Sequence, residues 1–129
     1  MIIDELDEFK KDLKRLLKKY RSLNDDLDMV KKILSKLPEE RAPFSYRIDN
    51  LGINTCVIKV KKIACKALKG KGVNTGLRLV YAYFEKTDAM IKDDVVIEKE
   101  REEKIILIEL YHKKNKELED RERIKRYFI

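Results

Sequence analysis

The segment TCVIKVKKIACKALKGKGVNTGLRLVYAYFE, which runs from Thr55 to Glu85, contains the clearest indications of the fold. At its start, apolar and polar residues alternate with a period of two, which is typical of a strand with one buried face. The opposite face of this strand is cationic and carries Lys59 and Lys61. The stretch GLRLVYAYFE is rich in aromatic and branched residues and predicts a second strand. A glycine-bearing loop, too long for a tight hairpin, joins the two.

The same region has an unusual charge distribution. The whole chain has 31 basic and 24 acidic residues and a net charge of +7, yet Leu51 to Phe84 contains no Asp or Glu. The seven cations of this window therefore account for the whole net charge, and the rest of the chain is balanced. A localised basic block indicates an anionic partner more strongly than a high pI does. The seven residues are Lys59, Lys61, Lys62, Lys66, Lys69, Lys71 and Arg78.

Two amphipathic helices are predicted before this segment. Apolar residues recur at helical spacing from about Asp4 to Tyr20, with lysines on the opposite side. A second helix, with Ser22 or Asn24 as its N-cap, has acidic residues near its N-terminus and lysines towards its C-terminus, and Pro38 ends it. Because the connection is short, the two helices are expected to form an antiparallel hairpin.

The stretch after the second strand predicts one more strand and one more helix. KIILIELYH is the third strand, and EDRERIKRYF closes the chain as a short helix. The intervening segment from Lys86 to Lys104 has two open interpretations, a strand pair that includes Val95–Ile97 or a mobile loop. The expected fold is α+β: an N-terminal helical hairpin packed on a small, twisted antiparallel sheet, with a short C-terminal helix.

Length and composition limit the classes of protein that this chain can represent. Its 129 residues are expected to form a single domain, 1–129. No apolar run is long enough to cross a bilayer, and the N-terminal residues are too acidic for a signal peptide. Cys56 and Cys65 fit neither a zinc pattern nor a disulfide framework, so we expect buried thiols in a cytoplasmic protein. His112 is the only histidine, which argues against a zinc enzyme, and no cofactor is expected.

Basic and aromatic side chains from the three strands could meet on one concave sheet surface. Such a set suits a phosphodiester, because cations neutralise phosphate and aromatic rings stack on the bases of single-stranded RNA. Purely structural roles for the same residues stay open. Surface lysines are usually solvated, strand tyrosines are usually core residues, and a histidine at a strand end is often structural. The set consists of Lys59, Lys61, Arg78, Tyr81, Tyr83, Tyr111, His112, Lys113 and Lys114.

A site of this kind could also cleave RNA without a metal ion. The 2′-hydroxyl of RNA is the nucleophile, and the protein must orient it, remove its proton and stabilise the charge on phosphorus. In a dense lysine cluster, neighbouring charges lower the pKa of one amine, which then acts as the base. The other cations stabilise the transition state. His112 could serve as the acid or as the base.

Three stretches resemble the RelE/ParE superfamily of toxins from toxin–antitoxin pairs, on the RelE side that cleaves mRNA. FKKDLKRLLKKYRSL resembles the first helix of the family. CVIKVKKIACKALKGKGVNTGLRLVYAYFE resembles its basic strand, basic loop and G-x-R strand, and IILIELYHKKNKELEDRERIKRYF resembles its last strand and C-terminal helix. The family fold is a helical hairpin on a small, twisted antiparallel sheet, in agreement with the expectation above.

This resemblance implies roles for particular residues. Lys59 and Lys61 match the strand lysines that provide acid–base and phosphate-binding chemistry, and Arg78 matches the arginine that binds the scissile phosphate. Tyr111 or His112 lies where relatives place a residue that acts on the reacting groups. The remaining expected RNA contacts are Lys62, Lys66, Lys69, Lys71, Tyr81, Lys113 and Lys114.

The resemblance also implies partners. These are mRNA, with or without the ribosome, and a cognate antitoxin that covers the basic face with acidic or apolar segments. Two alternatives to a ribonuclease stay open. One is a non-catalytic toxin of the ParE branch that binds gyrase, and the other is a basic RNA-binding module without activity.

Overall fold

A computed structural model describes residues 1–128 of the chain. The elements, in chain order, are a short strand, a helical hairpin, two strands before the basic loop and one after it, a two-stranded ribbon, a long strand and a final helix. Their bounds are β1 (Ile2–Glu5), α1 (Asp7–Leu17), α2 (Leu23–Lys36), β2 (Ser45–Arg47), β3 (Cys56–Val60), β4 (Leu77–Phe84), β5 (Met90–Lys92), β6 (Val95–Glu98), β7 (Lys104–His112) and α3 (Arg121–Tyr127).

Five of the strands form one sheet in the order β1-β7-β4-β3-β2. The α+β fold class, the helical hairpin, the three predicted strands and the C-terminal helix are confirmed. The sheet is mixed, however, because β1 runs parallel to β7 while the other neighbours are antiparallel. The prediction of a helix from about Asp4 was wrong at its start, since residues 2–5 pair with β7 and the helix begins at Asp7.

The sheet is covered on both faces. The hairpin α1–α2 packs on one face, where Phe9, Leu27 and Leu34 meet apolar residues of β3, β4 and β7. The short helix α3 packs on the other face, where Ile124 and Phe128 contact a second, smaller core. The final helix thus packs on the sheet through these two side chains, whereas Leu118 and Tyr127 are exposed.

The alternation of side chains places the strand residues on definite faces. Tyr81 lies directly opposite Ile58, and both side chains face the hairpin, whereas Val80 lies opposite Lys59 and faces α3. A bulge in β7 shifts its register against β4 between Val80 and Tyr81. Because of the bulge, both Ile108 and Glu109 fall on the α3 side of the sheet.

The segment between β4 and β7 forms a ribbon. Strands β5 and β6 pair with each other, and the Thr87–Arg101 bridge closes the base. Of the two interpretations of this segment, the strand pair that includes Val95–Ile97 is confirmed. Every residue from 88 to 102 is exposed, so the ribbon extends away from the core instead of packing on it.

No helix of residues 1–128 combines the length and the apolar character that crossing a bilayer requires.

Candidate nucleic-acid interface

Most cations of the acid-free window have no ion-pair partner. Of the seven, only Lys59 lies within 4.0 Å of a carboxylate oxygen of the described residues. The other six therefore keep their charge uncompensated at short range. A set of unpaired cations on one side of a molecule attracts anions, because Coulomb attraction is not offset by neighbouring carboxylates.

Three of these six residues line one cleft, here named the Arg78 cleft. Its volume is about 230 Å³, and no carboxylate contributes to its walls. The cleft lies where the end of β3, the start of β4 and the end of β7 come together beside β2. It is lined by Pro43, Tyr46, Lys61, Lys62, Asn74, Gly76, Arg78 and Lys113.

Backbone hydrogen bonds hold the Arg78 side chain in place. Its Nη1 donates to the carbonyl oxygens of Lys61 and Leu77, each at 3.1 Å. A guanidinium has five N–H donors, so the Nε and Nη2 hydrogens remain without a partner among the described residues. These hydrogens form one side of the planar fork that binds a phosphate through two parallel hydrogen bonds.

The neighbouring lysines are also positioned by specific contacts. The Lys61 ammonium lies over the ring of Tyr46, 4.9 Å from its centroid, which is a cation–π geometry. The Lys62 ammonium donates to the side-chain oxygen of Asn74 at 2.7 Å. The sequence did not identify Tyr46 or Asn74 as part of the interface. Tyr46 lies in the short strand β2, within a segment whose sequence indicates only an irregular link.

A second cleft adjoins the first and is here named the Tyr20 cleft. Its volume is about 280 Å³, and it too has no carboxylate in its walls. It shares Asn74 and Lys113 with the Arg78 cleft, so the two form a continuous basic surface. Its lining consists of Lys19, Tyr20, Leu68, Lys71, Asn74, Thr75, His112, Lys113 and Lys114.

His112 is buried at the bottom of the Tyr20 cleft. Its ring stacks on Tyr20 with 5.9 Å between centroids, its Nε2 lies 2.8 Å from the Thr75 carbonyl oxygen, and its Nδ1 accepts from the Lys114 amide at 3.1 Å. The ring is therefore a neutral imidazole that carries its proton on Nε2. Burial lowers the pKa of His112, and although the bond to Thr75 opposes this, the positive charges of Lys114, Lys19 and Arg78 add to it. Both nitrogens are occupied, so the structure does not favour the predicted proton-transfer role.

Gly76 makes this arrangement possible. Its φ is +86°, and a Cβ atom at this position would lie 2.7 Å from Cε1 of His112. Any other residue would clash with the ring in a backbone conformation that L-residues rarely adopt. The glycine of the G-x-R stretch thus sets the spacing between β4 and the end of β7.

Lys59 is not part of the open surface. Its ammonium donates to Glu119 at 2.8 Å, and the side chains of Lys59 and Glu119 are 13% and 3% exposed. Burial by itself raises the pKa of Glu119, but the hydrogen bond from Lys59 and the charges of Lys59 and Arg121 hold that pKa below its usual value. The catalytic role expected for Lys59 stays a prediction, and the pairing with Glu119 argues against it because Glu119 compensates the charge of Lys59.

Tyr111 lies beside Arg78 on the adjacent strand but is also covered. Its ring is buried beneath Lys116, and its hydroxyl has no hydrogen-bond partner among residues 1–128. Burial raises the pKa of Tyr111, and the charges of Glu119 and Glu109 raise it further, while Arg78 lowers it. The phenol stays protonated at neutral pH and does not face solvent. The expected open, concave sheet surface is thus closed over Lys59 and Tyr111.

Tyr81 is buried on the opposite face of the sheet. Its side chain is fully inaccessible, and its hydroxyl donates to the Pro38 carbonyl oxygen at 2.6 Å. Tyr83, also buried, donates to Glu103. Neither ring can stack on a base, so the predicted RNA contact at Tyr81 was wrong. Along a strand, residues an odd number of positions apart lie on opposite faces. Tyr81 and Tyr83 of β4 therefore lie on the face opposite to Arg78.

The basic loop, which joins β3 to β4, is hydrogen-bonded to the helical hairpin. Asp26 accepts from the Lys66 amide at 3.2 Å, and Ser22 accepts from the Ala67 amide at 2.9 Å. Lys66 and Lys69 themselves are exposed at the rim and line neither cleft, whereas Lys71 lines the Tyr20 cleft. The anchoring matters because it holds one wall of that cleft against α2.

A larger cavity lies elsewhere. It has a volume of about 640 Å³ and is found at the other end of the sheet, at the base of the ribbon. Acidic side chains of Glu85 and Glu102 line it together with Arg47 and Arg101. Mixed charges and an apolar floor do not suit a polyanion, so the two smaller clefts are the candidate interface.

Comparison with known proteins gives no match for this chain, whether with family models, with curated proteins or with solved structures. Within the described residues there is also no cluster of three or more His, Cys, Asp or Glu side chains that could hold a metal ion.

Proposed function

We propose that this protein is an endoribonuclease toxin of a toxin–antitoxin pair and that the phosphate to be cleaved binds in the Arg78 cleft. The observation that carries the proposal is that Lys61, Lys62, Arg78 and Lys113 converge on one cleft without a carboxylate. The G-x-R, basic-strand and C-terminal stretches that resemble RelE-like mRNA interferases support it. Their arginine and one of their strand lysines correspond to residues of this cleft.

In this proposal the RNA supplies its own nucleophile. The 2′-hydroxyl gives its proton to solvent water, O2′ bonds to phosphorus, and the bond from phosphorus to O5′ breaks while the Lys61 ammonium binds the phosphate. The ammonium of Lys113 gives a proton to the departing O5′, which leaves a 2′,3′-cyclic phosphate and a 5′-hydroxyl. The free Nε–Nη2 side of Arg78 and the ammonium of Lys62 stabilise the added charge on the phosphate oxygens.

An exposed aromatic ring at the edge of the cleft supports single-stranded RNA as the substrate class. Tyr46 is partly exposed at its edge, held against Lys61, and presents a ring on which an unpaired base can stack. A paired base cannot reach such a ring without unstacking. Single-stranded mRNA, free or on the ribosome, is therefore the proposed substrate.

A toxin of this type needs a cognate antitoxin, and both act in the cytoplasm. The antitoxin is proposed to cover the basic surface with acidic or apolar segments, because six unpaired cations of the window and the adjoining Lys19, Lys113 and Lys114 favour a partner with the opposite charge.

A non-catalytic toxin of the ParE branch is the second candidate. It is favoured because two side chains expected to transfer protons are already hydrogen-bonded within the protein. Lys59 is bound to Glu119, and both ring nitrogens of His112 are bound to backbone groups. A toxin that only binds gyrase needs no such groups. On induced expression, a nuclease shortens transcripts first, whereas a gyrase poison changes DNA supercoiling while transcripts stay intact.

The Arg78→Lys variant tests the nuclease proposal. It keeps the charge but removes the planar fork, so we expect most RNA cleavage to be lost while RNA affinity stays within about tenfold, or roughly 1.4 kcal/mol. Lost cleavage with preserved binding marks a group needed in the transition state. Cleavage is measured on a labelled mRNA fragment, and affinity on an oligonucleotide without 2′-hydroxyls.

Arg101→Lys is the matched control, because Arg101 lies on the ribbon at the other end of the sheet. It should cleave like the wild type. If Arg78→Lys cleaves as fast as this control, the mechanism proposed for the Arg78 cleft is wrong.

A further inference from the structure

We infer that the Tyr20 cleft binds the nucleotide that neighbours the cleaved one on the same RNA strand. The inference rests on the proposed function, because it takes the scissile phosphate to lie in the Arg78 cleft. It adds a contribution that the sequence did not indicate: the turn at the end of α1, through Lys19 and Tyr20, forms part of the nucleic-acid interface.

The continuity of the two clefts is the first argument. Asn74 and Lys113 belong to the walls of both, so a chain that leaves the Arg78 cleft past these residues enters the Tyr20 cleft. The Oδ1 of Asn74 accepts from Lys62, which leaves its amide hydrogens available to a ligand. A strand of linked nucleotides fits two adjoining sites, whereas a single small anion needs only one.

The distribution of charge is the second argument. Lys19, Lys71, Lys113 and Lys114 surround the Tyr20 cleft, and none of them lies within 4.0 Å of a carboxylate of the described residues. Ion pairs are common elsewhere on this molecule, for example between Lys31 and Glu5. Four uncompensated ammonium groups around one cleft match a phosphate of the strand.

The floor of the cleft indicates how the base would be held. Tyr20, Leu68 and the ring of His112 provide an apolar surface, and the volume of about 280 Å³ is close to the lower limit of about 300 Å³ for ligand sites. The Thr75 hydroxyl donates to Ile63 and accepts from Leu77. Since both nitrogens of His112 are also engaged, these polar groups cannot read a base edge, and the cleft should accept any base.

The experiment compares two double variants that remove the same charge. Lys19→Gln with Lys71→Gln alters the Tyr20 cleft, while Lys11→Gln with Lys125→Gln alters exposed lysines that line neither cleft. Three probes are titrated at several salt concentrations: a 2′-O-methyl uridine hexanucleotide, the corresponding dinucleotide and free uridine monophosphate. All four substituted lysines are exposed, so the substitutions should not disturb the core, and circular dichroism verifies folding.

For the hexanucleotide, we expect the log–log salt slope to decrease by about 1.4 in the Lys19/Lys71 variant, at about 0.7 per lost contact with a single strand. The control variant should keep the wild-type slope. The dinucleotide has a single phosphate, which lies in the Arg78 cleft, so its salt slope should be the same for both variants. If the Lys19/Lys71 variant and the control bind the hexanucleotide equally while Arg78→Lys still loses cleavage, the inference fails and the proposed function stands.

Two other outcomes would also overturn it. If uridine monophosphate binds the wild type as tightly as the hexanucleotide does and the Lys19/Lys71 variant loses that binding, the cleft serves free nucleotides. If Arg78→Lys cleaves normally, the proposed function itself fails. The inference then fails too, because it takes the scissile phosphate of the RNA to lie in the Arg78 cleft.

Discussion

At the scale of single residues, neighbouring groups decide which cations and rings are available. Lys59 and Lys61 are two residues apart on one strand face, yet Lys59 is paired with buried Glu119 and Lys61 lines an open cleft. The sequence shows both lysines on the same side but not the carboxylate that returns from a position sixty residues later. The ring of His112 is similarly occupied by two backbone groups from other segments.

The substitution His112→Gln tests whether this ring is structural. Loss of its two backbone contacts and of the stacking on Tyr20 should cost about 2 kcal/mol, because buried polar groups lose their partners. Thermal unfolding measures the effect at pH 7.5, where the wild type should melt several degrees above the variant.

The pH dependence gives a second readout of the same substitution. Because the folded pKa of His112 lies below its unfolded value of about 6.5, the unfolded chain takes up more protons in this range, and wild-type stability should fall as the pH drops below about 6.5 towards the folded pKa. The difference in melting temperature between wild type and variant should therefore shrink at pH 5.5. A difference that grows instead would mean that a charged His112 is stabilised in the fold.

At the scale of elements, the ribbon β5–β6 is the segment least integrated into the structure. Met90, Ile91, Val95, Val96 and Ile97 are between 55% and 64% exposed, so the ribbon buries little apolar surface. Its neighbours from Glu85 to Glu103 include eight acidic and four basic residues, the reverse of the balance in the basic window. From the sequence, a strand pair and a mobile loop both stayed open for this segment, and neither interpretation included its separation from the core.

Replacing residues 88–100 by an Asn-Gly turn tests this description. The Thr87–Arg101 bridge should still close the shortened hairpin. Since the removed residues are all exposed, we expect a change of less than about 1 kcal/mol in the free energy of unfolding, measured by urea denaturation. RNA cleavage should persist because the ribbon lies at the end of the sheet away from both clefts. A loss of more than about 2 kcal/mol would show that the ribbon stabilises the core.

At the scale of the whole molecule, one buried ion pair connects the three layers. Asp12 of α1 accepts from Arg123 of α3 at 2.7 Å and from the Leu110 amide of β7 at 3.1 Å. Strand β1 pairs with β7 only as far as Leu107, so the edge of β7 beyond it has no strand partner. Asp12 accepts a hydrogen bond from this unpaired edge of β7, and Arg123 compensates the negative charge of Asp12 where water is excluded.

The substitutions Asp12→Ala and Arg126→Ala compare a buried pair with an exposed one. Asp12→Ala removes the acceptor of the Leu110 amide and one carboxylate partner of Arg123, which keeps its contacts with Glu8 and the Ile108 carbonyl oxygen. It should therefore cost about 3 kcal/mol. Arg126 pairs with Glu8 at the surface, and its loss should cost less than about 1 kcal/mol. Urea denaturation with a common m-value measures both, and equal effects would contradict the role of Asp12 as the link between layers.

The sequence by itself determined the classes of element and the location of the net charge. Periods of two and of 3.6 residues identify β3, β4, β7 and the helical hairpin, because side-chain direction repeats with the backbone geometry. The absence of acids from Leu51 to Phe84 places the basic surface on β3, β4 and their loop without any structure. Lys61 and Arg78 could therefore be named as candidates from their positions alone.

Tertiary structure alone decided which of these groups meet. The parallel pairing of β1 with β7, the return of Glu119 to Lys59, and the approach of Lys19, Tyr46 and Asn74 to the clefts all depend on contacts between distant segments. Local periodicity carries no information about such contacts, since they follow from how the hairpin and α3 close on opposite faces of one sheet. The sequence specified where the positive charge lies, and packing specified which part of it remains open to a ligand.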